Sequence, residues 1–145
     1  MSLQYVSEFK YLGHIISDSS TDDADIKREI RNMFVRTNIM IRKYGRCSAS
    51  VKSGLFKCFC LCLYDTALWI NFNTGTMNKF KSCYNKCIKM FFGYKRAYSV
   101  TQMLYELQLP SFETVLFNGA TTFERMCYVC TNNLITHLCS ILKGT

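Results

Sequence analysis

The stretch that decides the fold is Ser7-Glu8-Phe9-Lys10-Tyr11-Leu12-Gly13-His14-Ile15-Ile16-Ser17. Aromatic and polar residues take opposite parities along it and just before it: Tyr5, Phe9 and Tyr11 against Gln4, Glu8 and Lys10. This alternation is typical of a half-buried β-strand. Gly13 interrupts the pattern, and a glycine inside a strand pattern marks a tight turn or a close backbone approach. The sequence therefore predicts a small β-hairpin that bends at Leu12-Gly13.

An amphipathic helix follows the polar loop after the hairpin. Asp22 or Thr21 should cap it, and the helix should run to about Tyr44 and stop at Gly45. Apolar residues recur at steps of three and four, which makes one stripe: Ile26, Ile30, Met33, Thr37, Ile41 and Tyr44. Basic residues lie largely off that stripe, so we expect a basic outer face.

Further helices are predicted over the rest of the chain. The apolar segment 55–72 is interpreted as a buried central helix, in which Asp65 needs a partner or a solvent-facing position. A third helix should open at Thr76 or Asn78 and end at Gly93, with a core stripe from Phe80 to Phe91. Three shorter predictions complete the chain: a helix capped by Ser99 to about Leu107, a helix from Ser111 to about Thr131, and a final piece from Leu134 to Leu142.

Charge is distributed unevenly along the 145 residues. Residues 1–96 carry 16 Lys and Arg against 7 Asp and Glu, a net charge of +9, whereas residues 97–145 carry 2 against 3, a net charge of −1. A localised basic excess indicates a polyanionic partner, either nucleic acid or an anionic membrane, or else only a solvated surface. Two charges inside segment 55–72 make membrane insertion costly, at about 2.5–3.5 kcal/mol each near the bilayer centre. We therefore expect no membrane span.

The nine cysteines form an odd count and fall within apolar helical patterns. The first residues lack the basic and apolar regions of a secretory signal, so we expect an intracellular protein, nuclear or cytoplasmic, with mostly buried thiols. Four residues have a possible zinc-ligand spacing: Cys127, Cys130, His137 and Cys139. The closing gap is too short for a zinc knuckle, so we expect no metal and no cofactor, although the sequence leaves zinc at these four residues open.

Two blocks resemble the reverse transcriptases of non-LTR (LINE-type) retrotransposons. Phe9-Lys10-Tyr11-Leu12-Gly13 followed by His14-Ile15-Ile16 is similar to their primer-grip hairpin, after which a helical thumb follows. Cys83 to Gly93, followed by Leu107-Gln108-Leu109-Pro110-Ser111, resembles the segment after the thumb. The segments 25–30 and 63–69 resemble the first and second thumb helices, so the likeness spans about residues 5–130.

The resemblance implies a mainly α fold with a small N-terminal β-hairpin, a thumb-like helical bundle and a C-terminal helical extension. The corresponding regions are 1–20 for the hairpin and loop, 21–96 for the basic bundle and 97–145 for the extension. No Tyr-Ala-Asp-Asp turn occurs, and Thr21-Asp22-Asp23-Ala24 is a helix start, so the polymerase carboxylates have no counterpart. We expect a fragment or truncated copy that holds a primer–template duplex but is not an enzyme, with the palm and fingers of a parent polymerase as a further partner.

The predicted nucleic-acid contacts follow from the resemblance and from basic residues next to aromatic ones. They are Phe9, Lys10, Tyr11, Leu12 and Gly13 at the grip, Lys27, Arg28 and Arg31 on the first helix, and Lys86, Lys89, Lys95 and Arg96 as weaker candidates. Two alternatives stay open. One is a non-catalytic helical module for protein interaction or packing, and the other is an anionic-membrane binder that uses the first helix.

Overall fold

The computed structural model describes residues 3–143 and is mainly helical, with one small antiparallel hairpin at the N-terminal end. The hairpin consists of β1 (Glu8–Tyr11) and β2 (His14–Ser17). The helices are α1 (Asp23–Tyr44), α2 (Ala49–Phe59), a 3₁₀ helix (Tyr64–Ala67), α3 (Thr74–Phe92), α4 (Val100–Leu107), α5 (Phe112–Val129) and α6 (Asn133–Lys143). This architecture confirms the predicted fold class.

The hairpin bends at Leu12-Gly13, as predicted, with Tyr11 opposite His14 and Phe9 opposite Ile16. Both turn residues have positive φ, 48° at Leu12 and 90° at Gly13, as in the two-residue turns whose twist matches a hairpin. The expectation of a half-buried strand was wrong, because every residue of β1 is exposed. β2 packs on α1, and no third strand among residues 3–143 covers β1.

Helix ends follow the cap chemistry at most positions. The side chains of Ser99 and Ser111 accept hydrogen bonds from Gln102 N–H and Thr114 N–H, as predicted, and Gly93 ends α3 with φ of 80°. The predicted start of α3 was wrong: Asn73 caps it, because its side chain accepts from Gly75 N–H at 2.7 Å. Asp22 stands at the N-cap of α1 but makes no side-chain cap hydrogen bond.

The single central helix predicted over residues 55–72 was also wrong. The helix begins earlier, at Ala49, and ends at Phe59. The chain then turns so that the peptide N–H groups of Ile70 and Asn71 both donate to the Asp22 carboxylate at 2.9 Å. These long-range hydrogen bonds replace the local ones that a continued helix would make, so tertiary contacts overrule the apolar pattern.

The core lies between α1 and α3, which run side by side from the same end of the molecule. Asp22 N–H donates to the Asn71 carbonyl at 2.8 Å, and Asn73 N–H donates to the Asp23 carboxylate at 3.0 Å. Phe56 of α2 is fully buried against the rings of Tyr84 and Phe91. The predicted α3 stripe is confirmed as buried throughout: Phe80, Cys83, Tyr84, Cys87, Ile88 and Phe91.

The C-terminal helices are less covered. α5 packs on the 3₁₀ helix through Gly119, where an added Cβ would lie 2.6 Å from Thr66 Oγ1. Much of the remaining apolar surface of α5 and α6 is exposed: Phe117, Phe123, Met126, Val129, Leu134, Leu138 and Ile141. Within residues 3–143, no helix is both long enough and apolar enough to cross a membrane.

The turn generates a first prediction. Leu12 is 91% exposed and has φ of 48°, which is unfavourable for a side chain with a Cβ but better tolerated by asparagine. We expect Leu12→Asn to raise the free energy of unfolding by about 1 kcal/mol, whereas the β-branched control Leu12→Val should lower it. Urea denaturation followed by Trp69 fluorescence checks this; an asparagine variant no more stable than the wild type would contradict it.

Candidate nucleic-acid interface

A buried carboxylate joins the hairpin to the helices. Asp25, in the first turn of α1, is fully buried and accepts hydrogen bonds from Ile15 N–H at 2.9 Å, Arg28 Nε at 2.7 Å and Trp69 Nε1 at 2.9 Å. His14 Nδ1 lies 2.9 Å from its second oxygen, at ion-pair distance but outside hydrogen-bond geometry. One side chain therefore fixes β2, α1 and the segment after the 3₁₀ helix together.

Arg28 lies where the sequence analysis did not expect it. We predicted a phosphate contact on the outer face, but its side chain is only 15% exposed and its guanidinium pairs with both Asp25 and Asp65. The reason is helical spacing, since Arg28 lies three residues after Asp25 and therefore above it on the same face. Arg28 thus supplies the partner that Asp65 was expected to need, and its donors are engaged within the protein.

The charge state of Asp25 follows from these contacts. Burial by itself raises the pKa of the carboxyl, but the hydrogen bonds from Arg28, Ile15 N–H and Trp69 outweigh burial and hold the pKa below its usual value. The same pairing raises the pKa of Arg28. Asp25 is therefore charged in the folded protein at neutral pH and acts as a structural anion.

The cations of α1 and α3 divide into those that pair with a carboxylate and those that do not. Arg36 pairs with Glu29 on α1, and Lys81 of α3 pairs with Glu113 of α5. Among the residues that the structure describes, no carboxylate lies within ion-pair distance of the outer cations. They include Lys27 and Arg31 on α1 and Lys79 and Lys86 on α3, all exposed, and Arg42 and Lys43 in the last turn of α1 are likewise exposed and in no ion pair.

A groove of about 430 Å³ separates these two sets of outer cations. Ile30 and Phe34 line it from α1, and the α3 side is Gly75, Asn78, Lys79, Ser82, Cys83 and Lys86. The Lys86 ammonium lies 5.5 Å from the centre of the Phe34 ring, a cation–π contact that spans the groove. Lys27 and Arg31 each precede a groove residue by three positions, so they stand on its rim.

A second hollow, of about 450 Å³, lies between the hairpin and the start of α1. Lys27 and Arg31 line it together with hairpin, loop and helix residues: Glu8, Ile15, Ser17, Ser19, Thr21, Asp23 and Ala24. The same two cations therefore border the hairpin on one side and the groove on the other. This continuous surface, from the hairpin through the α1–α3 groove, is called the basic track below.

The predicted grip residues occupy both faces of the hairpin. Phe9 and Tyr11 share one face and are exposed, and Leu12 stands at the tip beside Gly13. Lys10 pairs across the strands with Ile15 and lies on the face that borders the hollow. The structure therefore brings Lys10 toward Lys27 and leaves the two rings facing outward.

The weaker candidates at the end of α3 divide into two kinds. Lys95 and Arg96 are exposed, with no ion pair to any described carboxylate. Lys89 instead donates from Nζ to the carbonyls of Arg96 at 2.7 Å and Tyr98 at 2.6 Å, so it holds the loop after α3 in place. Lys79 was not among the residues predicted for the interface. It lies seven residues before Lys86, however, and this spacing places both lysines on the same face of a helix.

Possible metal ligands are not gathered at the predicted positions. No three of Cys127, Cys130, His137 and Cys139 bring ligand atoms within 4.8 Å of one another. In the described part of the chain, the one such group is His14, Asp25 and Asp65, and the guanidinium of Arg28 bonds both of its carboxylates. A positive charge thus already occupies the centre of that group.

The expectation of mostly buried thiols was wrong. All nine cysteines are free, and only Cys60, Cys83 and Cys87 are buried. Burial raises the pKa of the Cys60 thiol to about 11, so this side chain packs in the core as a neutral thiol.

Compared with protein-family models, curated proteins and solved structures, the chain matches none of them.

The network generates a second prediction. Asp25→Asn removes the charge but keeps the size, so Arg28 loses one of its two hydrogen-bonded carboxylates and keeps Asp65. We expect the free energy of unfolding to fall by about 3 kcal/mol at pH 7, the lower end of the cost of breaking a buried pair. Because the folded pKa is below the ordinary 3.8, the stabilisation is present above that pH and is lost as pH falls through the folded pKa.

The difference between wild type and Asp25→Asn should therefore shrink below about pH 3.8, as measured by denaturant titrations across pH. The exposed Asp18→Asn serves as a control and should change stability little at pH 7. A constant difference from neutral to acid pH would contradict the assigned charge on Asp25.

Proposed function

We propose that the chain binds a nucleic-acid duplex of primer and template along the basic track, as the grip-and-thumb portion of a non-LTR retrotransposon reverse transcriptase. The observation that carries the proposal is the separation of the cations into two sets. Arg28, Arg36 and Lys81 pair with carboxylates, whereas Lys27, Arg31, Lys79 and Lys86 line one outer surface without an anionic partner among residues 3–143.

The dimensions of the basic track suit a phosphate backbone. α3 has 19 residues, and at about 1.5 Å per residue it is about 28 Å long. A duplex carries phosphate charge along its whole axis, at about 3.4 Å of axis per charge on each strand, so a helix of this length lies beside several phosphates. Lys79 and Lys86 are separated by about 10 Å along α3, so they can contact different phosphates.

The hairpin turn supports a role for the grip residues. Leu12 is a large apolar residue in a left-handed conformation, and it is exposed at the tip of a short hairpin. Strained backbone of this kind costs about 1–3 kcal/mol and tends to occur at functional sites. The Leu12 side chain is exposed, so burial within the chain does not offset this cost. Burial of the side chain against a partner would offset it, which favours a role in binding.

A second candidate function is packing against another protein domain, such as the palm of a parent polymerase. One face of the hairpin exposes Phe9, Tyr11 and Ile16, and the outer surface of α5 and α6 is also apolar. Exposed apolar patches of this kind mark interaction surfaces. The two functions are compatible, because these apolar surfaces do not line the α1–α3 groove.

Salt dependence gives the third prediction. The double variant Lys27→Gln/Arg31→Gln removes two exposed, unpaired cations, so it should weaken duplex binding similarly on unrelated sequences. Each lost phosphate contact should reduce the slope of log affinity against log salt by about 0.9, or roughly two in total. Thermal stability should change little, since neither side chain is buried or paired.

The matched control is Lys57→Gln, an exposed cation on α2 that lies outside the basic track. Fluorescence anisotropy of labelled duplex, titrated over a range of salt, measures both slopes, with anionic vesicles titrated in parallel. A duplex affinity that changes neither with salt nor in the double variant would refute the proposal. Tighter binding to vesicles than to duplex would favour the membrane alternative.

Catalysis gives the fourth prediction. Polymerases of this kind need carboxylates that are free to hold two metal ions. The buried Asp25 and its neighbour Asp65 are both bonded to Arg28, so they are not available for that role. The purified chain should not extend a primer with Mg²⁺ or Mn²⁺; template-dependent extension that co-purifies with the chain through a further column would overturn this.

A further inference from the structure

We propose that a pocket at the C-terminal end of α3 binds one phosphate group of the nucleic-acid strand, which makes it a defined anchor on an otherwise diffuse basic track. The inference rests on the proposed function and adds a site to it. The pocket has a volume of about 530 Å³, and its lining is Ser82, Asn85, Lys86, Lys89, Met90, Tyr94 and Arg96.

The charge of the lining favours an anion. Three of the seven lining residues are cationic, and none is a carboxylate. Glu106, outside the lining, accepts hydrogen bonds from Tyr94 at 2.9 Å, Tyr98 at 2.7 Å and Gln102 at 3.0 Å. Its oxygens are therefore engaged by neutral donors and form no ion pair with the pocket lysines or with Arg96.

Two neutral donors complete the site. The Asn85 amide and the Ser82 hydroxyl make no side-chain hydrogen bond to any described residue, so both can donate to a ligand. Phosphate oxygens accept several hydrogen bonds at once, and those from charged donors are the stronger ones. Lys86 and Arg96 supply positive charge, whereas Ser82 and Asn85 supply neutral hydrogen-bond donors that orient a phosphate. A basic surface that is only solvated has no need of such neutral donors.

The wall of the pocket is held in place before any ligand arrives. Lys89 bonds the carbonyls of Arg96 and Tyr98, and the rings of Tyr94 and Tyr98 pack with centres 4.9 Å apart. Both tyrosine hydroxyls then donate to Glu106 of α4. This loop therefore holds the backbone of Arg96 in place, and a wall that is already ordered loses less conformational entropy when a ligand binds.

The pocket continues the basic track. Ser82 and Lys86 line both the α1–α3 groove and the pocket, so the two hollows meet along α3. A strand that follows the groove away from the hairpin therefore reaches the pocket with its backbone. The shared chemistry is a phosphate group, whether a diester within the strand or a free phosphate.

The test separates the contribution of the two neutral donors from that of the charged side chains. Ser82→Ala/Asn85→Ala removes two neutral donors and no charge; both positions lie on the outer side of α3, so the fold should be retained. We expect duplex binding to weaken about 5- to 20-fold with an unchanged salt slope. Arg96→Gln should weaken binding and also reduce the slope by about 0.9, whereas the control Lys57→Gln should do neither.

Two outcomes bear on the inference alone. If the wild type binds duplex and the Ser82/Asn85 variant binds equally well, the anchor is refuted, while the proposed function stands. Competition with inorganic phosphate and with AMP distinguishes the source: no displacement by either at millimolar concentration supports a diester of the strand, and displacement supports a free-phosphate site at the same residues.

The remaining outcome separates the two proposals. If the wild type binds no duplex, the proposed function fails. The pocket is then judged by NMR, from the side-chain amide signals of Asn85 during titration with inorganic phosphate and AMP. Shifts that disappear in Arg96→Gln support an anion pocket, and the absence of any shift overturns it.

Discussion

The structure depends on one buried anion, Asp25. A two-stranded hairpin is marginal in water by itself, and β1 here buries no face. What holds the hairpin is the bond from Ile15 N–H to Asp25, a carboxylate that also receives Arg28 and the Trp69 indole. Removing a charge from water is costly, so this arrangement is stable only because several donors converge on the same group. The hairpin, α1 and the chain before α3 are therefore joined through one side chain.

This network also explains where the basic surface begins. Arg28 follows Asp25 by one helical turn and folds inward onto it, whereas Lys27 and Arg31 stay exposed and line the hollow beside the hairpin. The same carboxylate that orders the hairpin thus withdraws one cation from the surface and leaves its neighbours exposed. Position relative to the buried acid, and not charge alone, determines which cations a polyanion can reach.

Much of the fold could be predicted from the sequence because its signals are local. The turn at Leu12-Gly13, the caps at Ser99 and Ser111 and the stop at Gly93 each depend on a few neighbouring residues. The path of the chain after Phe59 could not be predicted, since Ile70 and Asn71 are held by hydrogen bonds to Asp22, about fifty positions away. The candidate site divides in the same way. The exposure of the lysines can be predicted from helical periodicity. The pairing of Arg28 with Asp65 and the pocket around Arg96 cannot, because they depend on contacts between segments distant in sequence.

The two ends of the basic track differ in how they are made rigid. At the hairpin end, order comes from a buried charge whose donors lie in three separate segments. At the far end, it comes from exposed hydrogen bonds within one stretch, with Lys89 and Glu106 fixing the loop between α3 and α4. Exposed bonds of this kind open more readily than buried ones. Both ends of the track are therefore ordered before a strand binds, and the loop that carries Arg96 is the end whose bonds open more readily.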